Sequence, residues 1–544
     1  MANSQPTTTT AATSRDHVGR DEEVSAEERE SSEREHQPGN RPVRKRKGTT
    51  RSREGCLVCR KRRVKCDETK PRCNNCARHN TDQECIWPDL SRRSAIVAIA
   101  PADPLRPALN GSISRKDSWA ARSLSYFQYK SAAEFAGYFD EQFWSVNILQ
   151  MAHAEPVVNQ MLIALGARHE AFRSDGPVED PEAIMLCRRA DHEYVKAITM
   201  FRDHVEEHKY TRLHITLTCS ALCIAFDWLR GVDAEANVHL TQGLNTLSEW
   251  MSGEVSVHGG TALDSPEGHF IRKYLKPIFI TMALQTRTMP NPPKIPLTLV
   301  CAEDGNFTSF ETVTDARDAL VFLLAYLFPW VLSYYTTNAK VNPSLQHDVH
   351  SQLLKWERCI EDLVRRNPDM DSDPRLAILK LWHISAKLLF FGENAQSERM
   401  YDAFIDCFEA QVVLVEWLNE RSDIPQCRFS VDMGAVPALY YTAVKCRNPG
   451  IRRRAIELMK RWPRREAVYD SLACAALAEE IMKIEEGLEQ GNVVATEADV
   501  PGHARVKGKI WSECFRDDMG QRVNQLWVKR EGDEDYSEFR IVKW

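Results

Sequence analysis

Six cysteines crowd into thirty residues of this 544-residue chain: Cys56, Cys59, Cys66, Cys73, Cys76 and Cys85. Thiolates are the ligands that borderline and soft metals take, and a C-x2-C pair offers two of them to one ion because a short turn brings both sulfurs to the same point. The spacing is C-x2-C-x6-C-x6-C-x2-C-x8-C. A closed structural zinc site uses four tetrahedral ligands, so a single ion leaves two of the six cysteines unused. Two ions need eight metal–sulfur bonds, which six cysteines supply only if two of them bridge. The two C-x2-C pairs then head pseudo-symmetric halves, each followed by a third cysteine. A disulfide framework fits less well, since no apolar segment of the secretory kind follows Met1 and reducing compartments keep thiols free. No histidine stands at ligand spacing within the window, which excludes the mixed Cys/His zinc patterns.

The second chemical signal is charge. Between Cys59 and Cys66 the chain reads Arg60-Lys61-Arg62-Arg63-Val64-Lys65, five cations in six residues. From Arg41 to Cys85 there are 15 Lys/Arg against 5 Asp/Glu, a local +10 in a chain of net −6, which leaves −16 on the rest. Two divalent ions and six thiolates sum to −2, so the positive field comes from the side chains. A concentrated basic segment on an acidic body suits a polyanion-binding module tethered to something that does not bind polyanions. A short helix begun at Cys59 can enter a DNA major groove, where Arg and Lys donors reach guanine acceptors. Upstream, Arg44-Lys45-Arg46-Lys47 reads as a nuclear-localisation run, with backbone contact as the rival role.

The run GCLVCRKRRVKCDETKPRCNNCARHNTDQECIWP resembles the binuclear zinc-cluster DNA-binding domain of fungal transcription regulators, the six-cysteine type. The resemblance implies two zinc ions per chain bridged by Cys56 and Cys73, and a loop proline that Pro71 matches. It also implies recognition of CGG triplets in double-stranded DNA by the third and fourth residues after the second cysteine, here Arg62 and Arg63. Arg60, Lys61 and Lys65 are then assigned to phosphates, which position the module without reading sequence. The eight-residue last gap is long for the family.

These residues need elements to position them. Residues 1–50 read as a disordered acidic tail ending in the basic run, because almost no large apolar group is present to offset ordering entropy. The cluster module is assigned to 51–90 and a Pro-rich linker to 91–118. Pro88, Pro101, Pro104 and Pro107 leave no a/d heptad for the coiled coil found at this place in many relatives, so a homodimer would need another surface. Residues 119–544 read as a helical regulatory domain, and the whole chain as mainly α. Val158, Met161, Leu162 and Leu165 share one helical face, as do Leu240, Leu244, Leu247 and Met251, while Pro156 suits a first turn. Leu213 to Leu229 is apolar nearly all round, as a central helix is, and strand is expected only in a final piece, Phe539 to Trp544. The apolar run Ala319 to Tyr335 reads as a buried helix rather than a membrane span.

This second region resembles the fungal-specific transcription factor domain through SYFQY near Tyr126, Phe143-Trp144, HAEP at His153 to Pro156, LGARHEAF at Leu165 to Phe172 and RREAVYDS at Arg464 to Ser471. The named aromatics are expected in the core.

Catalytic signatures are missing: no Gly-rich phosphate loop, no nucleophile elbow and no HExxH, with His153, His169 and His192 read as core or surface residues. Other cysteines, among them Cys187, Cys219 and Cys223, lie in apolar stretches as small buried hydrophobes. The expectation is a nuclear, zinc-dependent DNA-binding transcription regulator and not an enzyme, with transcription machinery or co-regulators as further partners and no membrane role. The rival reading is a ligand-sensing or protein-interaction scaffold whose zinc module is a docking surface.

Overall fold

The structure, a computed structural model, describes residues 56, 58–59, 64, 66–70, 72–78 and 85 near the N-terminus. Beyond these it describes 118–173, 181–208, 210–253, 261–286, 292–299, 307–337, 343–393, 397–421, 428–488, 491, 493–511, 515–516 and 521–544. The acidic tail, the run Arg44 to Lys47, Pro71 and the linker prolines lie outside the described residues. The chain divides into two units, 1–109 and 110–544, each with a hydrophobic core of its own.

In the first unit the core is Val58 and the six cysteines, next to a short helix α1 (Asn74–Arg78). A core of sulfur with one aliphatic side chain is far too small to offset chain entropy, so such a unit needs a staple.

The second unit is mainly α. Helix α2 (Ser118–Tyr126) lies across α3 (Pro156–Arg173) at Gly166, where any Cβ would strike the carbonyl oxygen of Ser123. Pro156 opens α3 and forces Glu155 into an extended conformation, which ends the preceding helix. On α3, Val158, Met161, Leu162 and Leu165 are all buried as their spacing requires. Helix α4 (Pro181–His208) packs on α3, as does the central α5 (Leu213–Arg230), which ends at Gly231 with φ +77°. Helix α6 (Asp233–Met251) buries Leu240, Leu244 and Leu247, while Met251 in its last turn is half-buried. The run Ala319 to Tyr335 lies inside α7 (Val313–Thr337), whose Leu320, Leu323 and Leu324 are buried. Among the described residues no helix is long and apolar enough to cross a membrane. Of the aromatics singled out in the sequence, Phe127, Phe143, Trp144 and Tyr469 are core and Tyr126 and Phe172 are half-buried, but Tyr129 is 67% exposed, contrary to expectation. Trp144 meets Phe135 edge-on at 5.4 Å and Phe143 at 5.2 Å.

Strand is more extensive than the final piece expected, so the second unit is not all-helical. Strands β1 (Phe429–Ser430), β2 (Arg465–Glu466) and β3 (Tyr469–Asp470) form a small sheet. A larger antiparallel sheet comprises β4 (Val506–Trp511), β5 (Phe515–Arg516), β6 (Arg522–Arg530) and β7 (Glu538–Lys543), with β6 central. Along β6, Asn524, Leu526 and Val528 are buried at the period of two. Flanking lysines and arginines hide that period, and it is realised only because β7 can pack on helix α10 (Ser471–Glu486).

A buried ionic network ties this sheet to helices α8 (Val436–Lys445), α9 (Pro449–Arg461) and α10. Glu485 Oε1 accepts from the Val506 backbone N–H at 2.7 Å and from Arg447 at 2.8 Å, and Oε2 accepts from Arg452. Burial pushes the Glu485 carboxyl up, but Arg447 and Arg452 outweigh it and hold it at about 2. Next to Val506, Arg505 grips Asp402 with two bonds of 2.7 and 2.9 Å and donates to the Val500 and Glu497 carbonyls. Glu398 accepts from Lys445 at 2.8 Å and Arg447 at 2.9 Å. Every charge here has a counter-charge, which is the condition under which buried ions are tolerable.

Candidate metal centre and nucleic-acid interface

Each C-x2-C pair sits on a tight turn that folds a backbone N–H back on the first sulfur. Cys59 N–H donates to Cys56 Sγ at 3.4 Å, and Cys76 N–H donates to Cys73 Sγ at 3.4 Å. The third cysteine of each half repeats the match: Cys56 N–H reaches Cys66 Sγ at 3.5 Å and Cys73 N–H reaches Cys85 Sγ at 3.5 Å. The two halves are thus pseudo-symmetric in hydrogen bonding as well as in sequence.

The sulfurs converge on two groups. Those of Cys56, Cys59, Cys66 and Cys73 all lie within 4.8 Å of one another, and so do those of Cys56, Cys73, Cys76 and Cys85. Cys56 and Cys73 belong to both. Among the described residues no other group of three or more Cys, His, Asp or Glu has ligand atoms so close. All six thiols are free, and their closest sulfurs stand far beyond the roughly 2 Å of a disulfide. Zinc–sulfur bonds of about 2.3 Å in a tetrahedron put sulfurs about 3.8 Å apart. The separations are 3.8 Å for Cys56–Cys73, 3.7 Å for Cys56–Cys76 and 3.6 Å for Cys59–Cys73, so the cradle fits zinc.

Electrostatics distinguishes the shared pair. Burial pushes the Cys56 and Cys73 thiols up, yet the N–H groups of Cys59 and Cys76 and the neighbouring thiols outweigh it and bring both below the ordinary value. Burial holds Cys59, Cys76 and Cys85 above that value, Cys76 at about 12. Metal ligation removes these protons outright.

Sequence reading missed Asp67, the residue after the third cysteine. Its carboxylate accepts from the Thr69 hydroxyl at 2.6 Å, the Asn74 backbone N–H at 3.1 Å, the Asn74 side chain at 2.8 Å and the Asn75 N–H at 3.5 Å. The Thr69 hydroxyl and the Asn74 N–H hold it at about 2, well inside the ionised state. No local capping pattern announced it: Asp67 stands seven residues ahead of Asn74, and its carboxylate reaches the amides of the helix start only through the folded loop. It links the first half of the cluster to the helix that carries Cys76.

The cations Arg60, Lys61, Arg62, Arg63 and Lys65 lie outside the described residues. The residues beside them are described: Cys59 is buried, its carbonyl accepts from Val64 N–H at 3.1 Å, and the Val64 side chain is exposed. In the second unit His153 and His192 are exposed and His169 is buried, far apart in role and in no common site. Cys219 and Cys223 are buried in α5, and Cys187 is half-buried.

Residues 54–94 match the fungal Zn(2)-Cys(6) binuclear cluster domain, so the chain carries that zinc-binding domain. It is 46% identical over 84 residues to "Transcription factor lfc1" of Flammulina velutipes, covering 15% of this chain and 25% of the relative. It is 27% identical over 135 residues to "Transcriptional regulatory protein moc3" of Schizosaccharomyces pombe, covering 23% and 26%. It is 26% identical over 303 residues to "Zn(2)-C6 fungal-type transcription factor afumD" of Aspergillus fumigatus, covering 52% and 72%. The chain thus spans about a quarter of the length of the first two, while the third alignment runs well beyond the cluster. No solved structure matches the chain.

Proposed function

We propose that this chain is a nuclear, zinc-dependent, sequence-specific DNA-binding regulator of RNA polymerase II genes. The observation that carries the reading is the pair of interlocked sulfur groups sharing Cys56 and Cys73, with five cations among the six residues between Cys59 and Cys66. Two zinc ions per chain, held by Cys56, Cys59, Cys66, Cys73, Cys76 and Cys85 with the shared pair bridging, account for both groups. Bound zinc supplies the cross-links that a core this small lacks.

Arg62 and Arg63 take the base edges of a CGG triplet, and Arg60, Lys61 and Lys65 take phosphates. The run Arg44 to Lys47 serves nuclear import. In this reading 51–90 is the DNA-binding module, 91–118 a linker and 119–544 the regulatory region that meets co-regulators. The names of the relatives and the length of the third alignment support it.

The test is Arg62→Ala with Arg63→Ala, measured by binding to CGG and scrambled duplexes. Each bidentate guanine contact is worth about 1–3 kcal/mol of discrimination, so the preference should drop at least tenfold while weak, salt-sensitive binding persists. An unchanged preference for CGG refutes the assignment.

A further inference from the structure

Helix α4 buries Leu186, Ala190, Tyr194 and Ala197 and turns its opposite side to solvent. On that side Ile184, Met185 and Val195 are 38%, 49% and 64% exposed. Between them stand Arg188, Asp191 and His192, and a shallow cleft of about 550 Å³ runs along the same face. Among the described residues Arg188 has no anionic partner. Asp191 has one long contact, 3.8 Å to Arg230, with its side chain half exposed.

The order of these residues is self-complementary. Reversed about a point between Arg189 and Ala190, the stripe places Ile184 opposite Val195 and Arg188 opposite Asp191, and symmetry repeats both contacts. A two-fold interface demands this property, because the same patch must serve on both subunits. An acidic peptide would satisfy Arg188 but be repelled by Asp191, and a basic one would meet the reverse, so a second copy fits better than either.

We propose that this face is an interaction surface for a second copy of the chain, with the two α4 helices antiparallel across a two-fold axis. Ile184 and Met185 then cover the partner's Val195, and Arg188 pairs with the partner's Asp191. The stripe is only about 17 Å long at 1.5 Å per residue, so the dimer is weak and concentration-dependent. The proposal does not depend on DNA binding and is measured without DNA.

The experiment is sedimentation velocity of the zinc-loaded full-length protein over a concentration series. Wild type should dimerise, and Val195→Glu should abolish the dimer. Arg188→Asp and Asp191→Arg should each weaken it by about tenfold or more, and the two together should restore it. All three positions are exposed, so an unchanged circular dichroism spectrum certifies each variant as folded. A protein monomeric at every concentration, a dimer indifferent to these changes, or a folded double variant that does not recover overturns the proposal. If Arg188→Asp weakens and Asp191→Arg strengthens the association, the occupant is an acidic segment and the proposal is equally overturned.

Discussion

Asp67 holds Asn74 twice, one carboxylate oxygen accepting from its backbone N–H at 3.1 Å and from its side-chain amide at 2.8 Å. The contact joins the chain just after Cys66 to the start of the helix that carries Cys76, so it fixes one half of the cluster against the other. Asp67→Ala should therefore speed the release of zinc to a chelator, with Asp67→Asn intermediate because one acceptor survives. Equal release rates for wild type and Asp67→Ala would show that the metals alone set the geometry.

Because Cys56 belongs to both sulfur groups and Cys85 to one, their replacements should differ in stoichiometry. Cys56→Ser should lower the zinc content from two ions to none in native mass spectrometry. Cys85→Ser should retain one ion. A Cys56→Ser protein with one zinc and intact DNA binding would exclude a bridging role for this sulfur.

Glu485 is fully buried between Arg447 and Arg452 and also receives the Val506 N–H. Glu485→Gln leaves two buried guanidinium groups short of a counter-charge. Breaking a buried pair in this way costs about 3–5 kcal/mol, which should appear as an earlier urea midpoint for unfolding of the 110–544 unit. A loss below about 1 kcal/mol, the size of a surface pair, would show the network to be solvated.

His169 is fully buried, its Nδ1 2.9 Å from Ser131 Oγ, and burial brings its pKa down to about 3. The folded protein thus keeps it neutral while the unfolded chain takes up a proton below about pH 6.5. Its contribution to stability is present above that pH and declines as pH falls from 6.5 towards 3. Between pH 7 and pH 5 the loss is about 2 kcal/mol. His169→Gln should remove this slope, whatever its own effect at pH 7. Parallel pH profiles of wild type and variant, followed by tryptophan fluorescence, would mean that the ring titrates freely.

Much of this was legible in the chain. Cysteine spacing located the sulfur cradle, because a C-x2-C turn fixes its sulfurs locally. Helical periodicity placed Val158, Leu162 and Leu165 inward for the same local reason, and Pro156 marked where one helix stops and the next begins. What escaped depended on residues distant in sequence. The alternation of Leu526 and Val528 becomes a strand only when β4 and β7 flank it. Nothing near Glu485 in sequence announces Arg447, some forty positions away, and a glutamate pair at a helix end reads as solvated. Asp67 lay between these cases, since its partner is only seven residues on yet beyond the reach of a local capping pattern.

The fastening of the last sheet also bears on inherited damage. A premature stop immediately ahead of Arg505 would remove under a tenth of the chain, yet it would strip Asp402 of its guanidinium partner and Glu485 of its amide donor. Such an allele should behave as a null through loss of protein, not as a trimmed but working product.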